Sequence, residues 1–87
     1  MKILFTKHAE SKFKVLGELG WKISKSKVKN TIRKPKWHGV SKFGQETAMS
    51  LINKRHILRV IFNRENDNIV TVTFHLARRG KYESTIQ

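Results

Sequence analysis

The chain has 87 residues, with 19 lysines and arginines against 6 aspartates and glutamates and a formal net charge of +13. It is sized for one domain, and its expected partner is a polyanion, nucleic acid first. Hydrophobic residues make up 38%, enough for a two-layer core, which excludes wholesale disorder. The absence of cysteine excludes disulfides, thiolate catalysis and cysteine-ligated zinc, and it fits a reducing cytoplasm.

Ile3, Leu4 and Phe5 predict a short first strand. As an apolar run of three residues it falls far below the about 20 of a membrane span, so a cytoplasmic protein without membrane contact is expected. Thr6 is placed to N-cap a helix opening at Lys7 or His8. Ala9, Phe13, Leu16 and Leu19 then recur at the spacing of one helical face, and Gly20 follows where a left-handed C-terminal cap costs least. Ser24 caps a second helix with an inner stripe of Val28 and Ile32, which Pro35 stops. This helix lies in a one-signed block. Between Glu18 and Glu46 there is no carboxylate, while Lys22, Lys25, Lys27, Lys29, Arg33, Lys34, Lys36 and Lys42 all occur there. Lys25, Lys27 and Lys29 lie off the apolar stripe and are expected to hold phosphates, together with His8 at the start of the first helix. Trp21 and Trp37 flank the basic helix; Trp21, beside Ile23, reads as a core lid.

After a loop containing Trp37, Gly39 and Gly44 the apolar period changes from 3.6 to 2. Strands are predicted near 45–53, 56–63 and 69–77, the last two joined through an Asn- and Asp-rich turn at 64–68. The expected class is α+β: a short N-terminal strand, two helices, then a three-stranded antiparallel meander, in a single domain spanning 1–87. Matching the apolar sets pairs Phe74 near Leu58 and Val72 near Val60. A two-residue turn at Lys54 and Arg55 then places Met49 and Leu51 in the core. The opposite face would gather Glu46, Arg59, Thr73 and His75.

This order of elements, together with Thr6-Lys7-His8-Ala9, Arg59-Val60-Ile61-Phe62 and the closing Ala77-Arg78-Arg79-Gly80-Lys81-Tyr82-Glu83, resembles the RelE/ParE superfamily of small basic toxins over nearly the whole chain. More narrowly, it looks like a little-characterised family placed near those toxins. The resemblance implies an endoribonuclease that cleaves messenger RNA, free or on the ribosome, by attack of the RNA's own 2′-hydroxyl. It also implies an acidic antitoxin as protein partner. Some RelE-like nucleases use a carboxylate base, an arginine for the phosphorane charge, and a histidine with a C-terminal tyrosine; Glu46, Arg59, His75 and Tyr82 correspond to those roles. Arg78, Arg79 and Lys81 are then expected on RNA phosphates.

Each assignment has a plainer alternative. Glu46 beside Arg59 can be a cross-strand ion pair on a solvated face. His75 can be a polar residue near a strand end, His8 a helix-start residue bonding locally, and Arg78 with Arg79 a basic turn. Two other function classes therefore stand beside the nuclease: a non-catalytic nucleic-acid-binding module and a ParE-like toxin that inhibits a topoisomerase through protein contacts. His8, His38, His56 and His75 lack the short paired spacings of zinc sites, and no cofactor or metal is expected.

Overall fold

Local signals for helix and strand resolve into β1 (Ile3–Phe5), α1 (Lys7–Glu18), α2 (Lys25–Arg33), β2 (Trp37–Val40), β3 (Glu46–Leu51), β4 (His56–Glu65) and β5 (Asn68–Arg78). They come from a computed structural model that describes residues 2–80. The class is α+β, as expected. Thr6 caps α1 by accepting from the Ala9 amide at 3.1 Å, and Ser24 caps α2 by accepting from the Lys27 amide at 3.1 Å, each satisfying a donor that the first helical turn cannot. Gly20, at φ 91°, takes the left-handed geometry that follows α1. No helix among the described residues is long and apolar enough to cross a membrane.

The strands form one five-stranded sheet in the order β1-β5-β4-β3-β2. β1 runs parallel to β5, and the other pairs are antiparallel. The segment at Trp37, expected as loop, is therefore an edge strand, and the meander has four strands where three were expected. Trp37-His38-Gly39-Val40 is too short to announce a period by itself, and its glycine is a weak strand former; pairing with β3 supplies the order. α1 packs on β5 and β1, and α2 on β3 and β4, all on one face. Beneath them lie Ala48, Leu58, Val60, Phe62, Ile69 and Phe74, with Ala9, Leu16, Val28 and Ile32 from the helices. Phe13 bridges Phe5 and Phe74 at ring distances of 5.7 and 4.7 Å. Each such buried side chain contributes about 1.5–3 kcal/mol.

Two register details depart from expectation and decide the site. Phe74 sits opposite Val60 and Leu76 opposite Leu58, two residues from the expected pairing. Thr73 pairs with Ile61 but Thr71 with Phe62, so Val72 is the extra residue of a β-bulge. Past the bulge, Ile69 and Thr71 turn toward the helices and are buried, while Val70 and Val72 leave the expected core. Thr6 anchors the bulge: its hydroxyl donates to the Val72 carbonyl at 2.9 Å and its amide to the Thr71 carbonyl at 3.1 Å. The helix cap and the strand irregularity are thus one structure.

The β3–β4 connection spans residues 52–55, longer than the expected two-residue turn, and pairs Met49 with Arg59 and Leu51 with Ile57. Asn53 organises it, its Oδ1 accepting from the Arg55 and His56 amides at 2.8 and 2.9 Å. A shift of one residue inverts a strand. Ala48, Ser50 and Glu46 therefore lie on the helix side, whereas Thr47, Met49 and Leu51 join Arg59 on the other. There Met49, Ile57 and Ala77 form a second buried cluster with Trp37 and Leu51 against it.

Candidate nucleic-acid interface

β4 begins at His56 and β5 ends at Arg78, and the antiparallel register makes these two residues direct partners. The Arg79 amide donates to the Arg55 carbonyl at 2.9 Å, which clamps the end of β5 against the 52–55 connection. Lys54, Arg55, His56, Arg78 and Arg79 consequently line one cavity of about 350 Å³. Among its described lining residues none is acidic. His56 is held in place: its Nδ1 lies 3.1 Å from Asn53 Oδ1, and its ring meets Trp21 nearly edge-on at 5.0 Å. Since that oxygen already accepts two amides, Nδ1 is the donor in the pair.

Trp37 carries the basic surface across the sheet. The Lys36 ammonium and the Arg79 guanidinium both lie over its ring, at 5.5 and 5.8 Å from the centroid, within cation–π range. Lys36 is fixed by its amide, which donates to the Met49 carbonyl at 2.8 Å. Toward α2 a second cavity, of about 330 Å³, is lined by Lys27, Asn30, Thr31, Arg33, Lys34 and Ser50. A strip of cations with one indole set into it thus joins Lys36, just past α2, to Arg79, just past β5. Guanidinium forks match phosphate oxygens two at a time, and a flat ring among them accepts a stacked base.

The anticipated residues scatter around this strip. Arg78 and Arg79 belong to it. Arg59 and His75 face one another as cross-strand partners on the face away from the helices, both half-buried. Glu46 does not join them, which corrects the expected triad. It stands opposite Phe62 on the helix side, accepting from Arg64 Nε at 2.7 Å, with His38 Nε2 at 3.7 Å. The offset in the β3–β4 connection is the cause. Lys25 pairs with Glu10 at 2.8 Å, and Lys27 donates its ammonium to the Leu51 carbonyl at 2.9 Å; both cations on α2 already hold partners. Lys29 is half-buried on α2, and His8 is exposed in the first turn of α1. Lys81 and Tyr82 lie outside the described residues.

Sequence reasoning missed Lys54, Arg55 and His56; it noted Trp37 as an aromatic among lysines suited to single-stranded RNA, but not the contact of Lys36 and Arg79 with its ring. A signal for the first three was present, because a β4–β5 hairpin returns the end of β5 to the start of β4, and Arg78 must then meet the cations that precede His56. Among the described residues no three of His, Cys, Asp or Glu gather into a metal-holding group. No protein-family model, curated protein or solved structure matches the chain.

Proposed function

We propose that this protein binds single-stranded RNA, gripping phosphates at the joined ends of β4 and β5. One observation carries the reading: Lys54, Arg55, His56, Arg78 and Arg79, from two chain segments, converge on a cavity of about 350 Å³. A tetrahedral phosphate offers its oxygens to several donors at once, which suits such a ring of cations. Trp37 packs on the second cluster beneath Lys36 and Arg79, so a base stacks on it by displacing one of these cations toward its phosphate, which an unpaired base can do and a base stacked in a duplex cannot.

The test is the salt dependence of binding to a labelled single-stranded oligoribonucleotide. Four or five phosphate contacts give a slope of log affinity against log salt near −3, at about −0.7 per phosphate. A slope indistinguishable from zero overturns the reading.

The pairing of Arg59 with His75 favours a second reading, a RelE-like ribonuclease with an acidic antitoxin as its partner. In it the 2′-oxygen, giving its proton to water, bonds to phosphorus as the bond to the 5′-oxygen breaks; Arg59 stabilises the charge that develops on the phosphate, and a protonated His75 gives its proton to the leaving 5′-oxygen. Glu46 has no part, given its seat on the other face. Arg59→Ala and His75→Ala should each slow cleavage by roughly 10²-fold or more, with 2′,3′-cyclic phosphate products. A wild-type protein that cuts no messenger RNA, with or without ribosomes, removes this reading and leaves binding alone.

A further inference from the structure

The tip of the β2–β3 hairpin presents a large apolar side chain to solvent on a rigid mount. Phe43 is 78% exposed. The turn beneath it is internally bonded: the Ser41 amide donates to the Gln45 carbonyl at 2.8 Å and the Gly44 amide to the Ser41 carbonyl at 2.9 Å. Ser41 Oγ accepts from the Phe43 and Gln45 amides at 3.3 and 3.2 Å, and Gly44 supplies the φ of 81° that the turn demands. An exposed aromatic ring on a turn ordered this thoroughly contributes nothing to the core and is held in a fixed position at the hairpin tip.

Its surroundings select the partner. The Lys42 ammonium lies 5.2 Å from the Phe43 ring centroid. Beside the ring a cavity of about 260 Å³ is lined by Ser41, Lys42, Phe43, Arg59 and Ile61. A flat π face with cations at its margin fits a planar group flanked by negative charge, and a nucleobase between two phosphates is such a group. An apolar protein side chain would instead desolvate the Lys42 ammonium without bringing a charge to meet it. Phe43 also shares a sheet edge with Trp37, from which it is separated by the length of β2, about 10 Å, and the turn. From these observations we infer that Phe43 is a base-stacking platform, with Lys42 contacting the adjoining phosphate, and that it extends the RNA track from the strand-end cluster along β2. The inference rests on the RNA-binding reading.

The experiment compares two probes, a labelled single-stranded oligoribonucleotide and inorganic polyphosphate, which has the charge and no bases. Phe43→Ala should weaken RNA binding about fivefold to 20-fold, as loss of one exposed stack does, and leave polyphosphate affinity unchanged within about twofold. Phe43→Trp should restore RNA binding, with indole emission quenched on addition of RNA. Unchanged RNA affinity in Phe43→Ala would overturn the proposal and assign the ring to a protein partner. Equal weakening toward both probes would overturn it as well, since the effect would then be on charge placement. Failure of the wild type to bind either probe would instead remove the RNA-binding reading itself.

Discussion

Helix α2 and the joined ends of β4 and β5 are both dense in positive charge, yet they use it differently. On α2, Lys25 is matched by Glu10 and Lys27 ties the helix to the Leu51 carbonyl. At the strand ends, Lys54, Arg55, Arg78 and Arg79 surround a common cavity with His56. Both regions line a cavity, but at the strand ends the cations come from two distant chain segments and four of them share one space. A run of lysines along a chain therefore reports net charge but not the place where a ligand is held.

The largest effect is expected at the strand ends. Replacing Arg55, Arg78 and Arg79 by glutamine should lower affinity for single-stranded RNA about 100-fold at 0.1 M salt and flatten the salt slope by about 2, since each lost phosphate contact removes roughly fivefold there. Fluorescence anisotropy across a salt series measures both. An effect below tenfold would move the binding surface elsewhere.

The strand-end cluster depends on the β4–β5 register, so the register is the next thing to challenge. Val60→Ala, which opens a cavity opposite Phe74, should cost about 2 kcal/mol in urea denaturation, and Val72→Ala, at the bulge, less than about 1 kcal/mol. The reverse order would invalidate the bulge and with it the meeting of His56 and Arg78. A smaller effect should distinguish the structural role of α2. Lys27→Met removes the donor from the Leu51 carbonyl and should destabilise the fold by about 1 kcal/mol, with an unchanged denaturation midpoint refuting that role. The least effect is expected from Lys25→Gln combined with Lys29→Gln: stability within about 0.5 kcal/mol, as for exposed ion pairs, and RNA affinity within about fivefold. If this pair weakened binding more than the three arginines, α2 would be the principal contact.

Much of the fold was legible in particular residues. Thr6, Gly20, Ser24 and Pro35 mark helix ends because capping and breaking act over one turn of chain. The shared face of Arg59 and His75 followed from alternation in two long strands. The bulge at Val72 was not legible, because Val70-Thr71-Val72-Thr73 alternates without interruption and the group that holds it, Thr6, is 66 residues away. The facing of Glu46 was lost for a related reason: residues 52–55 form a longer connection than Lys54 and Arg55 alone predict, and parity does not tolerate an offset of one. Of the interface, Arg78 and Arg79 were identified, but Lys54 and Arg55 were read only as a turn. Lys25 and Lys27 looked available because Glu10 and Leu51, which engage them, belong to other elements.

By itself the amino-acid sequence determined the α+β class, the places where helices begin and stop, and the strongly cationic character of the molecule, all of which depend on composition or on neighbours within a few residues. Tertiary structure alone decided which face each strand presents, since that follows from the length of a connection and from a bulge anchored far away in the chain. It also decided which cations share a cavity and which acceptors they meet, because an ammonium or guanidinium is held by whatever acceptor the packing brings within about 3 Å of it.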